Sequence, residues 1–337
     1  MKKRRLGKTE LMVSPVGFGG IPIQRLDEDL AYDLLKEAYE NGMNFIDTAR
    51  GYMESEALLG SALEKIGRDK FIIATKSMSR TYEGVKEEFE TSLKNLRTDH
   101  IELFQFHNIR TEAELKIVMG ENGAYRAIKE YQDKGIIGSI GVTSHSTDFL
   151  DAALDTDFFS TIQYPYNPVE RQGEGVFKKA RSKDIGVIVM KPLAGGAIPK
   201  GELCIRFILE NEDVTVAIPG MESVDQIREN IKPAQDGQPL TDEERAELLE
   251  EASTLGEEFC RRCGYCAPCT VGIDIPGQFI IDGYYTRYNL QNWAKSRYEG
   301  LEIKASDCIE CGICEAKCPY DLPIIKMMNK VESHFEA

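Results

Sequence analysis

The sequence predicts an α/β fold, an eight-stranded parallel barrel followed by a small cysteine-rich domain, and three observations predict it. Between about Val16 and Gly220, short apolar runs alternate with longer segments of helical period, the pattern of successive βα units. The apolar runs number eight, which is what a closed (β/α)8 TIM barrel requires. Eight of the nine cysteines fall in the last 78 of 337 residues, with only Cys204 before them. That length accommodates one barrel of about 250 residues and an appendage, so residues 1–255 are expected to form the barrel and residues 256–337 the second domain.

In chain order, RRLGKTELMVS holds a Gly-Lys-Thr turn between two short extended pieces, which predicts a small hairpin able to plug the bottom of the barrel. The strand candidates follow as VGFGG, NFIDTA, FIIATK, IELFQFH, IIGSIGVTS, TIQYPYN, GVIVMKP and TVAIPG. Between them, EDLAYDLLKEAYENG repeats apolar positions near the helical period and ends at Gly42, a residue suited to a helix C-terminus. The segment YEGVKEEFETSLKNLRTDH reads the same way. GELCIRFILEN has an apolar helical face, so Cys204 is expected in the core. After the linker KPAQDGQPL, Thr241 and Glu244 make a capping-box pattern for one more helix. Beyond Cys260, two cysteine runs flank GQFIIDGYYTRYNLQNWAKSRYEG, a largely helical, aromatic-rich connector.

A hydrophobic fraction of 42% with 29% charged residues describes an ordinary folded protein with material for a large core. The formal net charge of -15 argues against nucleic acid as a partner, because phosphates need a basic surface. No apolar stretch approaches the roughly 18 to 20 residues that cross a bilayer, and no apolar core follows MKKRR, so neither a membrane span nor a signal peptide is expected. The cytoplasm is the expected location.

Disulfides would need an oxidising compartment that nothing in the sequence indicates, which favours ligation by the clustered thiols. CIECGICEAKCP sets Cys308, Cys311, Cys314 and Cys318 at gaps of two, two and three, with a proline after the last. This fits the bacterial ferredoxin run, in which three close thiolates hold one cubane and the fourth reaches a second. Its counterpart CRRCGYCAPC supplies Cys260, Cys263, Cys266 and Cys269, with a third gap of two residues and Thr270 in the usual proline position. By the ferredoxin rule, one cluster takes Cys260, Cys263, Cys266 and Cys318, and the other takes Cys308, Cys311, Cys314 and Cys269. Zinc is the competing reading, since paired CxxC units also suit it, but a run closing in Cys-Pro favours [4Fe-4S]. A ferredoxin-like domain with two [4Fe-4S] clusters is expected.

Reactive residues of α/β barrels sit at the C-terminal ends of the strands. Asp47 ends NFIDTA, Lys76 ends FIIATK, His107 ends IELFQFH, and Tyr52 follows in the loop after Asp47. Taken singly, each has a plain structural reading, as a cap, a rim aromatic, a solvated strand end or a satisfied buried histidine.

Together, RRLGKTELMVSPVGFGG, FIDTARGYMESEALLG, ATK and LFQFH resemble the aldo-keto reductases over about the first 235 residues. The resemblance implies a nicotinamide-dependent barrel, NADP(H) or NAD(H), acting on a small carbonyl or alcohol substrate through a tetrad of Asp47, Tyr52, Lys76 and His107. In this chemistry a phenol with a pKa near 10 is too weak an acid unless helped; Lys76 would favour the phenolate of Tyr52, Asp47 would keep Lys76 charged, and His107 would orient the substrate oxygen. The same resemblance places Gly20 in the cofactor site, and Thr143, Ser144 and Gln163 around the carboxamide. It puts Met190 where many members have a stacking tyrosine, with Pro192, Leu193, Gly195 and Gly196 matching beyond it. Glu229 and Asn230 match adenine contacts, whereas Gly220 and Gln226 replace the basic residues that often hold a 2′-phosphate. Arg228 and Lys232 are the cations left to substitute, so NADPH and NADH both stay open. The tail is also similar to that of some prokaryotic members that carry a ferredoxin motif after the barrel.

A nicotinamide passes electrons in pairs and a cubane singly, and no flavin motif bridges the two. Three functions are therefore open: a carbonyl oxidoreductase whose clusters relay electrons to a redox partner protein, the same enzyme with clusters as structural staples, or a nucleotide-binding electron-transfer or sensor module with little turnover.

Overall fold

The computed structural model describes residues 1–262, 264–318 and 320–336. The chain divides into two compact units: Met1–Asn167, Arg171–Pro192 and Lys200–Thr241 form the first, while Pro168–Glu170, Leu193–Pro199 and Asp242–Ala337 form the second.

The first unit opens with β1 (Arg4–Arg5) and β2 (Met12–Val13), an antiparallel hairpin with Arg4 opposite Val13. Its turn requires Gly7, which sits at φ 53 where a Cβ would come within 2.3 Å of the Gly186 nitrogen. Strands and helices then alternate: β3 (Phe18–Gly19), α1 (Glu28–Glu40), β4 (Phe45–Asp47), α2 (Ser55–Ile66), β5 (Ile72–Ser77), α3 (Tyr82–Asn95), β6 (Ile101–Phe106), α4 (Glu112–Met119), α5 (Ala124–Asp133) and β7 (Ile137–Thr143). The order continues through α6 (Thr147–Ala153), β8 (Thr161–Pro165), α7 (Glu174–Ser182), β9 (Gly186–Met190), α8 (Gly201–Leu209), β10 (Val216–Ile218) and α9 (Val224–Asp236). Strands β3 to β10 each pair in parallel with their neighbour in sequence, and parallel bridges from Val16 to Ala217 and from Gly19 to Gly220 join last to first. The result is the closed eight-stranded barrel that the sequence predicts.

Local chemistry starts and stops these helices. Asp27, Thr81, Thr111, Ser146 and Ser223 each accept a backbone N–H from the first turn of their own helix, contacts worth about 1 kcal/mol apiece. Helix α3 ends at Asn95, short of the periodic stretch predicted through His100. Arg97 turns left-handed at φ 51, and the Thr98 N–H donates back to the Leu93 carbonyl, a C-cap that closes the helix without a glycine.

The hairpin plugs the barrel floor as expected. Leu6 and Val13 pack with Phe45, Ala74, Leu103, Ile188 and Val216, one inward-facing residue from each of five strands.

The second unit is helical, with α10 (Asp242–Gly256), α11 (Ile275–Thr286), α12 (Gln291–Glu299), α13 (Ile313–Ala316) and α14 (Ile324–Phe335). Its core is small: Ile273, Ile275, Phe279, Ile281, Tyr298, Leu322, Ile324, Met328 and Val331 are prominent in it. Tyr298 stacks on Phe335 at 4.4 Å between centroids and accepts the Ala305 N–H at 3.0 Å. Cys266 belongs to this core, and Cys260, Cys269, Cys308, Cys314 and Cys318 pack against it. Among the described residues no helix is long and apolar enough to cross a membrane.

Candidate active site and cysteine sites

Strand side chains alternate with period two, so Asp47, Lys76 and Gln105 share the inward faces of Phe45, Ala74 and Leu103, two residues nearer the C-terminal strand ends. The apolar members make the floor. The polar members meet one another: Lys76 Nζ donates to Asp47 Oδ1 at 2.7 Å and to the Thr48 carbonyl at 2.7 Å. Asp47 Oδ2 accepts from Gln105 Nε2 at 3.1 Å and from Gln163 Nε2 at 2.9 Å. Lys76 and Asp47 are only 1% and 3% exposed. A buried ion pair survives when its remaining lone pairs and protons are hydrogen-bonded, and these contacts meet that condition.

Tyr52 lies beside the pair, with Lys76 Nζ 4.9 Å from its ring centroid. His107 meets the same ring edge-on at 5.8 Å. The loop is held by the backbone: Arg50 N–H donates to the Lys76 carbonyl and Tyr52 N–H to the Ala49 carbonyl. His107 is fixed by its N–H to the Ser77 carbonyl and by Arg80 Nη2, which donates to the His107 carbonyl at 2.8 Å. Burial lowers the Lys76 pKa from its ordinary value, opposed by the Asp47 carboxylate and, more weakly, by Glu56. All four residues of the expected tetrad are thus gathered at one end of the barrel.

Two groups here escape sequence reasoning. Gln105 carried a signal, since it precedes His107 by two residues on the same strand face, and its Oε1 is buried without a hydrogen-bond partner among the described residues. Glu56 carried none: it is a charged residue in the first turn of α2, yet it is fully buried, accepting from Thr75 Oγ1 at 2.7 Å and pairing with Arg50 Nη1.

The expected cofactor residues separate into groups. Thr143 and Ser144 are buried, with Thr143 Oγ1 accepting the Asn108 N–H at 2.8 Å and Ser144 Oγ accepting the Ser146 N–H at 3.0 Å. Gln163 reaches Asp47, as above. Gly20 donates its N–H to the Asp47 carbonyl at 2.8 Å, and Met190 closes β9 half-buried, followed by Pro192. Leu193 and Gly195 belong to the second unit, where Gly195 turns at φ 69 and a Cβ would lie 2.9 Å from the Tyr288 ring.

Around the expected adenine contacts, Asn230 is buried and its Oδ1 has no hydrogen-bond partner among the described residues. Glu229 Oε1 and Asn230 Oδ1 both approach Gly201, where a Cβ would lie 2.9 Å and 3.3 Å from them. Gly220 abuts Pro22, so a Cβ there would lie 2.7 Å from a rigid ring. Gln226 turns its Oε1 back onto the Glu222 N–H at 2.8 Å. Arg228 Nε donates to Glu37 at 2.8 Å, Lys232 Nζ to Glu202 at 3.0 Å, and Arg25 pairs with Glu222.

In the second unit, Cys269, Cys308, Cys311 and Cys314 line one recess walled by Ile273, Ile275, Ile324 and Met328. These are the four thiols that the ferredoxin rule assigns to one cluster. A hydrogen bond from the Thr270 hydroxyl lowers the Cys311 pKa, and burial raises that of Cys314. Among the described residues, no three His, Cys, Asp or Glu side chains converge as ligands of a single ion. A cubane takes one thiolate on each of its four irons, and four cysteines line this recess. In the other set, Cys263 lies outside the described residues, and Cys260, Cys266 and Cys318 all contact the same core. The described cysteines are free thiols, and Cys204 is buried in the barrel unit as expected.

Known proteins match both units. Residues 15–203 match the model of the aldo/keto reductase family, and residues 259–323 that of a 4Fe-4S dicluster domain. The chain is similar to L-galactose dehydrogenase of Arabidopsis thaliana, 27% identical over 278 residues that span 68% of this chain and 86% of the relative. It is also similar to the NADH-specific methylglyoxal reductase of Escherichia coli, 28% identical over 228 residues, covering 59% of this chain and 69% of that one. Among solved structures, an aldo-keto reductase from Bacillus halodurans in its holo form superposes with a TM-score of 0.64 at 27% identity, covering 76% of this chain and 96% of that one. A putative aldo-keto reductase from Pseudomonas aeruginosa gives 0.63 at 28% identity, over 70% and 95%. With the first model matched over more than half of its length, the chain belongs to the aldo/keto reductase family, as an oxidoreductase with a C-terminal 4Fe-4S dicluster domain.

Proposed function

We propose that the barrel interconverts a carbonyl and an alcohol by NAD(P)(H)-dependent hydride transfer, and that two [4Fe-4S] clusters in the second unit relay single electrons to or from a partner protein. One observation carries the first part: a buried Lys76–Asp47 pair at 2.7 Å, with the Tyr52 ring against its ammonium. Two unsatisfied acceptors fit a bound nucleotide, Gln105 Oε1 near the reacting end and Asn230 Oδ1 near the other, since ligand N–H groups would satisfy them. Thr143, Ser144, Gln163, Glu229 and Asn230 would hold it.

The bound nicotinamide would supply or accept the hydride. As the carbonyl is reduced, Tyr52 gives its phenolic proton to the substrate oxygen, and in the reverse direction takes it back. The Lys76 ammonium lowers the cost of the phenolate left behind, and Asp47 keeps Lys76 charged against the desolvation that disfavours its charge. His107, packed on the edge of Tyr52, directs the substrate oxygen toward the phenol.

NAD(H) is the favoured nucleotide. Gly220 and Gln226 offer no cation, and Arg228, Lys232 and Arg25 are already paired with carboxylates, so a 2′-phosphate would have to displace an acid to gain a strong charge-assisted contact. Small aldehydes and sugars are the substrate class to test, guided by the names of the two relatives. Steady-state turnover of such a panel with NADH, compared between the native enzyme and Tyr52→Phe, is the decisive experiment; full activity in the variant overturns the assignment. The small core of the second unit, to which the cysteines are integral, favours a second reading of the clusters as staples. Midpoint potentials from electron paramagnetic resonance titration separate the two, since a relay needs potentials that a partner can reach.

A further inference from the structure

We propose that the second unit contains a binding site for an organic anion with an apolar body, in a recess distinct from the one lined by Cys269, Cys308, Cys311 and Cys314. The recess encloses about 840 Å³, counting the part open to solvent. Phe259, Phe279 and Met327 supply an apolar wall, and Arg262, Arg287 and Lys330 supply three cations. In a chain of net charge -15, that concentration of positive charge requires an explanation.

Among the described residues only one of the three makes an ion pair. Arg262, 9% exposed, is matched by the fully buried Glu170, yet its Nε has no hydrogen-bond partner among the described residues. The two acids of the recess each hydrogen-bond another partner, Glu258 with Lys326 Nζ at 2.5 Å and Asp282 with His334 Nδ1 at 2.6 Å, and act on Lys330 and Arg287 only through longer-range attraction. Arg287 and Lys330 make no ion pair among the described residues. The Arg287 guanidinium lies 5.5 Å from the centroid of the Phe259 ring and the Arg262 guanidinium also 5.5 Å, so the aromatic wall and the cations form one continuous surface. Arg287 and Lys330 are exposed, but a buried donor without an acceptor, as at Arg262 Nε, is costly, and an anion in the recess removes that cost. Its apolar body would cover Phe279 and Met327.

Of the described cysteines only Cys260 lines this recess; Cys263, which the ferredoxin rule assigns with Cys260, Cys266 and Cys318 to one cluster, lies outside the described residues. The proximity of Cys260 has a consequence that rests on the cluster reading: a negative charge bound beside one thiolate ligand lowers the potential of that cluster and leaves the other unmoved.

The test uses the full-length protein, purified anaerobically with its clusters. Titration calorimetry with benzoate should show one site per chain, and benzyl alcohol and inorganic phosphate should each bind about tenfold more weakly or not at all, because one lacks the charge and the other the apolar body. Arg287→Gln and Lys330→Gln should each weaken benzoate about tenfold with iron content unchanged. Benzoate affinity unaffected by both substitutions would place its binding elsewhere, including the barrel, and overturn the proposal. So would equal binding of benzyl alcohol, equal binding of phosphate, or no binding of benzoate. In the same samples benzoate should shift one cluster midpoint downward; a failure of that shift with binding intact discards only the link to the cluster.

Discussion

Lys76 Nζ lies 2.7 Å from Asp47 Oδ1 inside the barrel, with both side chains almost wholly removed from solvent. One ammonium holds a carboxylate already present and, with the Tyr52 ring centroid 4.9 Å away, would serve the phenolate that the proposed reaction creates. Removing one partner of such a pair leaves a buried charge uncompensated, so Asp47→Asn should destabilise the barrel by about 3 to 5 kcal/mol, read from urea unfolding.

The same burial has a signed pH dependence. Desolvation lowers the Lys76 pKa below its ordinary value of 10.5, so the folded chain releases this proton before the unfolded chain does. Between the two values the unfolded state binds more protons, and this contribution to stability rises with pH. Activity moves the other way, because the neutral amine no longer stabilises the phenolate. The kcat profile should fall on the alkaline side below pH 10.5, while the unfolding free energy gains a rising component that Lys76→Met removes.

Tyr52→Phe should cost roughly 100- to 10,000-fold in kcat, the range for losing a positioned proton donor. Nucleotide affinity should change little, since the hydroxyl is assigned to the substrate oxygen. Quenching of protein fluorescence by nucleotide checks the second half of that statement.

NADH should bind about tenfold more tightly than NADPH, the difference that one missing charge-assisted contact makes. Releasing the cations by combining Glu37→Gln with Glu202→Gln should narrow the gap by improving NADPH alone. Equal affinities in the native enzyme would remove the argument from paired cations.

Anaerobically purified protein should hold roughly eight irons and eight sulfides per chain. Cys311→Ala should lose about four irons and one of two paramagnetic signals, because Cys311 shares its recess with Cys269, Cys308 and Cys314. Two zinc ions per chain and no iron would decide for the competing metal.

Much of this was legible in the chain because regular alternation fixes direction. Eight apolar runs gave eight strands, and Asp47 and Lys76 were placed by standing at the C-terminal ends of theirs. Gln105 was accessible from His107 by period two but lacked a chemical role to draw attention to it. Glu56 was not accessible, since no local pattern marks a helical glutamate that Thr75 and Arg50 bury. Helix α3 ran shorter than its periodicity because Arg97 adopts a left-handed conformation that arginine does not advertise.

The sequence by itself determined the barrel, the order of its reactive residues and the spacing of the thiols, since all three depend on short-range periodicity and motif. Only the tertiary structure decided which charges are spent on one another. Arg228, Lys232 and Arg25 look available in the chain and are paired with Glu37, Glu202 and Glu222 in the fold, while Arg287 and Lys330 look unremarkable and line one recess with no ion pair among the described residues. Ion pairing depends on distances between residues far apart in sequence, and those distances exist only after the chain has folded.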